Sequence, residues 1–264
     1  MSKVLVVIKS MGIGDLIILI GNIHAISKKI GQPVTVLAQK NTHANTILKN
    51  DPYVEEVISL DKKEIKGFFN IIKKIKPKQF DQSYIFSDSI RFYLISKLSG
   101  INKNFQYKFF SKKGKNFFKT AKKFTEKILN TEIDPQSKIY FDKNEMEEAK
   151  RKFDISGKTK NIICGISASG PTKRWDINNY IKLFENLNSK FKCKFFLAGG
   201  PSDEDLIKKV TNSSIGNICT SFSAMKIVET LPIIGACQYY IGNDTGWGHI
   251  SSGLNLKSLF LFMD

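Results

Sequence analysis

Short runs of apolar, β-branched residues alternate with segments of helical periodicity along most of the chain, and this alternation constrains the fold more than any other feature. Val4–Ile8 has the length and composition of a buried strand, and apolar side chains then recur at helical spacing over residues 16–26. Further strands are predicted at residues 34–37, 55–60, 80–86, 161–166, 194–198, 239–242 and 258–262. Because helical segments separate these strands, the pattern is typical of parallel, doubly wound α/β sheets.

The alternation is interrupted once, and this interruption divides the chain. Residues 103–127 have the pattern of a loop running into a helix, and a charged helix is predicted near residues 144–153. Gly157 follows and marks a boundary, after which the strand–helix pattern restarts. The sequence therefore predicts two Rossmann-like domains, residues 1–157 and 158–264, although no sequence repeat relates them.

The charge balance narrows the range of partners. The 264 residues include 41 Lys and Arg against 24 Asp and Glu, a formal net charge of +17. Only three of the 41 are Arg, the residue that most often reads base edges, so no specific nucleic-acid partner is expected. The lysine excess indicates either a general compositional bias or attraction to an anionic partner, such as a phosphorylated glycolipid or a membrane surface.

This excess is concentrated in residues 103–127, which hold nine Lys and one Glu with seven Phe or Tyr residues interleaved. On one interpretation the lysines dock on an anionic membrane surface and the aromatic rings insert shallowly. On the other, the rings pack on the sheet and the lysines form a solvated face. The first interpretation is the prediction, because the excess is local as well as global.

Neither a membrane span nor a metal site is predicted. The chain has no run of about 18 apolar residues, and Val4–Ile8 is too short for a signal peptide. None of the four cysteines lies in a Cys-x-x-Cys pair, and with three histidines the usual zinc spacings are absent. We therefore expect a cytoplasmic protein without a bound metal.

The first candidate motif is Lys-Ser-Met-Gly-Ile-Gly-Asp at residues 9–15, where the first strand runs into the first helix. Ligands of open parallel sheets bind at such turns, and glycine lets a ligand approach the backbone closely. The third glycine of a dinucleotide fingerprint is absent, and so is the Gly-Lys-Ser/Thr of a P-loop. Asp15, in the first helical turn, is either a catalytic group or a residue that favours the helix dipole.

Two further motifs follow strands of the second half. Residues 167–175, Ser-Ala-Ser-Gly-Pro-Thr-Lys-Arg-Trp, combine hydroxyls, a glycine and two cations, which suits a phosphate, although a polar loop is the alternative. Residues 199–204, Gly-Gly-Pro-Ser-Asp-Glu, place acids where nucleotide folds bind ribose. A turn with a helix cap explains this second motif equally well.

The fourth motif, Gly-Asn-Asp-Thr-Gly-Trp-Gly-His at residues 242–249, is the most specific. A strand runs into a glycine-rich helix start, which presents backbone N–H groups to an anion. Thr245 adds a hydroxyl, and His249 lies one turn further on. We interpret these residues together as a phosphate site.

These motifs in this order, together with Arg91, resemble the heptosyltransferases of glycosyltransferase family 9 over nearly the whole chain. The resemblance implies a GT-B fold, in which two Rossmann-like doubly wound domains face each other across a cleft. It implies that the N-terminal domain takes the acceptor and the C-terminal domain a nucleotide-diphosphate sugar, typically ADP-heptose. It also implies transfer with inversion at the anomeric carbon, without a metal or other cofactor.

The resemblance assigns roles residue by residue. Asp15 corresponds to the catalytic base, Lys173 to the lysine at the donor diphosphate, and Met225 to a methionine beside the adenine. Asp203 or Glu204 corresponds to the acid that binds the ribose. The remaining donor-binding positions are Ser169, Asp244, Thr245, Gly246 and His249. The acceptor-side positions are Lys9, Ser10, Gly12, Gly14 and Arg91.

One feature departs from the family pattern. Family members continue after the last strand with a glycine-containing loop and C-terminal helices, whereas this sequence stops at Asp264. The expectation is a shortened member or a fragment, with a C-terminal domain incomplete at its end.

The predicted function is that of an inverting glycosyltransferase. It would move heptose or a related sugar from an ADP-sugar to a lipopolysaccharide core or similar surface-glycan acceptor, on the cytoplasmic side of the inner membrane. The alternative from another class is a non-catalytic protein of the same fold that binds a sugar nucleotide or glycolipid. An NAD-dependent oxidoreductase fits less well, because the fingerprint glycine is missing.

Overall fold

The structure is a computed structural model that describes residues 2–9, 12–107, 116–168 and 170–263. The chain forms two compact units, Met1–Tyr140 and Phe141–Asp264, called the first and the second unit below. Within the described residues each unit is built on one parallel sheet of five strands. None of the described helices is both long and apolar enough to cross a bilayer.

The first unit has the strand order β3-β2-β1-β4-β5. Its strands are β1 (Val4–Ile8), β2 (Val34–Gln39), β3 (Val54–Leu60), β4 (Gln82–Phe86) and β5 (Lys103–Gln106). Its helices are α1 (Ile13–Ile30), α2 (Ala44–Ile47), α3 (Phe68–Ile75), α4 (Ile90–Leu98) and α5 (Phe117–Leu129). Strand β1 is buried along its whole length, which explains its continuous apolar sequence at the centre of the sheet.

The second unit repeats this arrangement with the order β10-β9-β6-β7-β8. Its strands are β6 (Lys160–Gly165), β7 (Cys193–Ala198), β8 (Cys219–Ser221), β9 (Tyr239–Asn243) and β10 (Lys257–Leu261). Its helices are α6 (Lys143–Lys152), α7 (Ile177–Lys190), α8 (Glu204–Thr211), α9 (Ile227–Ala236) and α10 (Gly246–Gly253). Counted from its own first strand, each sheet has the order 3-2-1-4-5 of a nucleotide-binding half-fold.

The predicted α/β class with two Rossmann-like, doubly wound units is confirmed. In both sheets the strand order reverses beside the first strand, between β1 and β4 and between β6 and β9. Open α/β sheets bind their ligands at this switch point, beyond the carboxyl ends of the strands. The fold therefore gives each unit one edge at which a ligand site is expected.

The boundary between the units falls after Tyr140 rather than at residue 157. Helix α6 packs against α9 of the second unit, and the ring of Phe141 lies directly against Gly235 of α9. The segment before Gly157 therefore belongs structurally with the strands that follow it.

Several of the Phe and Tyr side chains in residues 103–127 pack against other rings of the first unit. Phe105 stacks on Tyr84 with ring centroids 5.0 Å apart, and Phe124 packs edge-on against Phe86 and Tyr107. The rings of Phe105, Tyr107 and Phe124 are half-buried in these contacts, which leaves only part of their surface for insertion into a membrane. Phe118 of α5 is 42% exposed.

Candidate active site

The carboxyl edge of the second sheet gathers most of the predicted donor-binding residues. Strands β6 and β9 are neighbours there, with Gly165 of β6 paired to Gly242 of β9. Beyond β6 the chain enters the loop at residues 166–176, which leads to α7. Beyond β9 it passes Asp244 and Thr245 and starts α10.

Asn243, the last residue of β9, joins the segments that follow β6 and β9 through side-chain hydrogen bonds. Its side-chain Nδ2 donates to the carbonyl oxygens of Ile166 and Ser167, each at 3.2 Å. Its Oδ1 accepts from the backbone N–H of Trp175 at 3.0 Å. Asn243 has no solvent-exposed surface, so these hydrogen bonds satisfy an amide that would otherwise be costly to bury.

Glycines allow the close packing beneath this edge. A Cβ on Gly165 would lie 2.0 Å from the hydroxyl of Tyr240, and one on Gly242 would lie 2.5 Å from the carbonyl oxygen of Gly165. The Tyr240 hydroxyl donates to the carbonyl oxygen of Asn243 at 2.8 Å and lies 3.4 Å from Oγ1 of Thr245. Burial raises the pKa of Tyr240, so this hydroxyl remains a donor.

The start of α10 has a backbone geometry that suits an anion. Thr245 precedes the helix in an extended conformation, with φ −142° and ψ 168°. The N–H groups of Gly248 and His249 bond to its carbonyl oxygen at 3.1 and 3.3 Å. The amides of Gly246 and Trp247, in the first turn, therefore precede the helical hydrogen-bond ladder and are oriented to bind a negatively charged group.

Two predicted residues flank this terminus. His249 Nε2 lies 3.4 Å from Oδ1 of Asp244, and their side chains are 29% and 52% exposed. The imidazole also packs against Phe260 with ring centroids 5.8 Å apart. These contacts hold the imidazole next to the residues that precede α10, and part of it remains accessible to solvent.

Lys173 ends a short 3₁₀ helix, Pro171–Lys173, in the loop after β6. Its backbone N–H donates to the carbonyl oxygen of Gly170 at 3.1 Å, and its side chain is exposed. Among the described residues its ammonium group takes part in no salt bridge. This leaves a positive charge at the carboxyl edge of the sheet that no described carboxylate neutralises.

Arg174 links the same loop to the exit of β7. Its Nη2 donates to the carbonyl oxygen of Ala168 at 3.3 Å and lies 3.6 Å from Oδ1 of Asp203. Asp203 is buried, and its Oδ2 accepts from the N–H of Gly200 at 2.9 Å. Both carboxylate oxygens of Asp203 are therefore used within the protein, as the turn-and-cap interpretation requires.

The neighbouring acid is more accessible. Glu204 is exposed at the start of α8 and pairs with Lys208 at 3.5 Å. Its partner sits one helical turn away, an arrangement that contributes little to stability and is easily exchanged for another. Of the two predicted ribose acids, Glu204 is the one whose carboxylate can turn to a ligand without breaking a buried contact.

Met225 lies in the turn that follows β8, at the same edge of the sheet. Its N–H donates to the carbonyl oxygen of Phe222 at 2.9 Å, and its side chain is half-buried. Phe222 in turn packs against Trp247 of α10, with centroids 6.0 Å apart. Met225 thus belongs to a turn that contacts α10 through Phe222.

The predicted residues of the first unit lie at the carboxyl edge of its own sheet. Gly12 precedes α1 in an extended conformation, and Asp15 occupies the first turn of that helix. Gly14 is also in α1, while Lys9 directly follows β1 and is exposed. Arg91 is in the first turn of α4, after β4. Ser10, like Ser169 of the second unit, lies outside the described residues.

No cluster of three or more His, Cys, Asp or Glu side chains that could hold a metal ion occurs within the described ranges of the chain. The cysteines are free thiols, and three of the four are buried. Burial raises the pKa of Cys219 to about 12 and that of Cys164 further above its usual value. These thiols are therefore protonated at neutral pH and serve as packing groups.

Sequence reasoning did not identify Asn243, Arg174 or Tyr240 as parts of the site. Asn243 and Arg174 stand inside two of the motifs, but their partners lie far away in the sequence. The available signal was a polar residue directly at the end of a buried strand, a position where an amide must find hydrogen-bond partners.

The C-terminal part of the sequence matches a family model. The model of glycosyltransferase family 9 (heptosyltransferase) matches residues 111–264, which is more than half of the chain. The protein is therefore a glycosyltransferase. The chain belongs to glycosyltransferase family 9. A comparison with curated protein sequences gives no match.

Solved structures of the family share the fold. The chain is similar to the ADP-heptose lipopolysaccharide heptosyltransferase II of E. coli, with a TM-score of 0.76 and 18% identity over 98% of this chain and 84% of that one. It is similar to a glycosyltransferase of family 9 from Veillonella parvula, with a TM-score of 0.82 and 15% identity over 98% and 80% of the two chains. For E. coli heptosyltransferase WaaC, solved with ADP-2-deoxy-2-fluoro heptose, the TM-score is 0.71 and the identity 13%, over 98% and 88%.

Proposed function

We propose that this glycosyltransferase moves heptose or a related sugar from an ADP-sugar to a lipopolysaccharide core or similar surface-glycan acceptor, with inversion and without a metal. The observation that carries the proposal is the meeting, at one switch point, of the α10 terminus and the loop that bears Lys173. Similar structures support the donor: one is named for ADP-heptose and another was solved with a fluorinated ADP-heptose.

The second unit would hold the donor diphosphate. The first-turn amides of α10 and the hydroxyl of Thr245 bind phosphate oxygens, and the Lys173 ammonium adds a full positive charge. When the glycosidic bond to the diphosphate breaks, negative charge develops on the leaving oxygen. Fixed dipoles and a cation at that place stabilise the transition state, which is the task a metal performs in other enzymes.

The rest of the donor would bind around this centre. Met225 lies beside the adenine, and Glu204, with Asp203 behind it, accepts hydrogen bonds from the ribose hydroxyls. His249 and Asp244 face the phosphate or the sugar. Ser169 is a further donor-binding position, whose hydroxyl would add a hydrogen bond to the diphosphate.

The first unit would bind the acceptor and supply the base. Asp15 takes the proton from the acceptor hydroxyl while the oxygen bonds to the anomeric carbon and the nucleoside diphosphate leaves from the opposite side, which inverts the configuration. General-base catalysis of this kind contributes about 10²–10⁴-fold to the rate. Arg91 and Lys9 offer positive charge to an anionic glycolipid, and Gly12 and Gly14 let it approach the helix start. Ser10 is a further acceptor-side position.

The exposed lysines of α5 would hold the enzyme at the cytoplasmic face of the inner membrane, where such acceptors are found. Each lysine near an anionic surface contributes about 1 kcal/mol, so several acting together give reversible docking. Because Phe105, Tyr107 and Phe124 are half-buried against other rings of the unit, docking rests on charge more than on aromatic insertion.

Calorimetric titration of the protein with ADP, ADP-heptose and NADH tests the donor class. We expect ADP and ADP-heptose to bind and NADH to bind poorly, since the dinucleotide fingerprint is absent. Binding of NADH without binding of ADP-heptose would contradict the proposal. Binding of ADP-heptose with no transfer to any lipopolysaccharide acceptor would favour a non-catalytic binder instead.

A further inference from the structure

The proposed diphosphate site is built from two segments that leave different strands. Lys173 belongs to the loop that follows β6, whereas Thr245 and the first amides of α10 follow β9. For both sets to reach the same diphosphate, the spacing between the two segments must be fixed before the donor arrives. Preorganised donors stabilise developing charge because no free energy is spent on moving them during the reaction.

One side chain bridges the two segments. Asn243 Nδ2 bonds to the carbonyl oxygens of Ile166 and Ser167 where the loop begins, and Oδ1 bonds to the N–H of Trp175 where it ends. Asn243 itself immediately precedes the Asp244–Thr245 turn. The amide therefore closes the loop at both ends and attaches it to the strand that carries the α10 terminus.

These contacts are shielded from water. Asn243 is 0% exposed, Ile166 1% and Ser167 8%. Buried polar groups that lose their partner keep the cost of desolvation, so removal of the amide would leave two carbonyl groups and one N–H group unmatched. The loop would then move to where water can satisfy those groups, and Lys173 would move with it.

We propose that Asn243 is a positioning residue for the donor, which sets the distance between Lys173 and the N-terminus of α10. This inference rests on the proposed function of the site. Asn243 does not touch the reacting atoms. Asn243 acts on the donor only by holding the loop in place. Its loss is therefore expected to weaken diphosphate binding, beyond the loss of stability that any buried amide would cause.

The same sheet offers a matched control. Asn161 is also 0% exposed, and its Nδ2 donates to the carbonyl oxygens of Ser156 and Thr159 at 3.0 and 2.9 Å and to Oε1 of Gln238 at 3.1 Å. It stands near the start of β6, at the amino edge of the sheet. Asn161→Ala therefore removes a similar buried amide from the opposite edge of the sheet to the proposed donor site.

The experiment compares the wild-type protein with Asn243→Ala and Asn161→Ala. Three quantities are measured: the midpoint of urea unfolding, the Kd for ADP by calorimetry, and the exchange rate of the Trp175 backbone amide by NMR. Both variants should lose stability. In Asn243→Ala the Trp175 amide should exchange faster, and the Kd for ADP should rise about tenfold or more, as expected when charge-assisted hydrogen bonds are misplaced. In Asn161→Ala both quantities should stay within about twofold of wild type, in line with the independence of distant sites.

Each contrary outcome has its own meaning. If wild-type protein binds neither ADP nor ADP-heptose, the proposed function fails. If wild type binds ADP and Asn243→Ala binds it equally well, the positioning role is wrong while the function stands. Equal losses of ADP affinity in both variants would likewise overturn the inference, because they would show only a general loss of stability.

Discussion

The Nε2 atom of His249 lies 3.4 Å from Oδ1 of Asp244, across the first turn of α10. Both side chains stay accessible, so the pair faces the space in front of the helix terminus and does not belong to the core. An imidazole placed there can donate a hydrogen bond to a phosphate, with the carboxylate holding the ring in orientation.

We expect His249→Ala to weaken ADP-heptose binding by about tenfold, the equivalent of one hydrogen bond to a charged group. The Kd is measured by calorimetry. His43→Asn serves as the control, since His43 is exposed in the first unit and asparagine tolerates its left-handed backbone, φ 54°. An unchanged Kd in His249→Ala would remove the imidazole from the donor site.

Asp15→Asn should lower the transfer rate by about 10²–10⁴-fold while the Kd for ADP-heptose stays near wild type. The reason is that the amide cannot accept the proton, whereas on the proposed function the donor binds to residues of the second unit. Asp205→Asn is the matched control, because Asp205 also lies in the first turn of a helix but is exposed on α8. A comparable loss of rate in both variants would contradict the role of Asp15 as the base.

Substitution of the two candidate ribose acids should have different effects: one should lower stability and the other should weaken ADP binding. Asp203→Ala should destabilise the protein by about 1–3 kcal/mol, since the N–H of Gly200 and the guanidinium of Arg174 both lose a buried partner. Glu204→Ala should change the free energy of unfolding by no more than about 1 kcal/mol but weaken ADP binding. Urea unfolding and calorimetry measure the two effects, and weaker ADP binding in neither variant would exclude both acids from the donor site.

The close packing around the glycines beneath the site should make substitution there destabilising. Gly165→Ala should destabilise the protein by about 1–3 kcal/mol, because the added methyl would meet the hydroxyl of the buried Tyr240 at 2.0 Å. Gly157→Ala, where nothing lies within 4 Å of an added Cβ, should stay within about 0.5 kcal/mol of wild type. Equal unfolding midpoints for the two variants would contradict the close contact between Gly165 and Tyr240.

Membrane docking is tested on the exposed lysines of α5. Changing Lys119, Lys123 and Lys127 to Gln should reduce co-sedimentation with anionic vesicles, and rising salt should reduce it for the wild type as well. The control changes an equal number of exposed lysines of the second unit to Gln, namely Lys182, Lys190 and Lys192. Equal sedimentation of the two variants would show that α5 is only a solvated face.

The central strands and the helix starts could be predicted because local sequence determines them. Val4–Ile8 is uniformly apolar since both faces of β1 are covered, and the glycine-rich run before His249 is typical of a helix that binds an anion. The edge strands β5 and β8 were not predicted. They are short and bond to a neighbour on one side only, so their sequences need no continuous apolar run.

The contacts that organise the site could not be predicted, because they join residues distant in sequence. Asn243 bonds to Trp175 across 68 positions, and Arg174 reaches Asp203 only because β6 and β7 are neighbours in the sheet. The sequence also gave no reason to place the charged helix α6 with the second unit. Its contact with α9 depends on where the chain returns after β8.

The most direct test of the proposed function is the reaction of ADP-heptose with a lipopolysaccharide inner-core acceptor. ADP release is followed over time, and NMR gives the anomeric configuration of the transferred sugar. We expect one ADP per transferred sugar, inverted configuration, and persistence of the activity in EDTA, with Lys173→Ala raising the KM for the donor. Retained configuration, or ADP-heptose binding with no sugar transferred to any acceptor offered, would contradict the proposed mechanism.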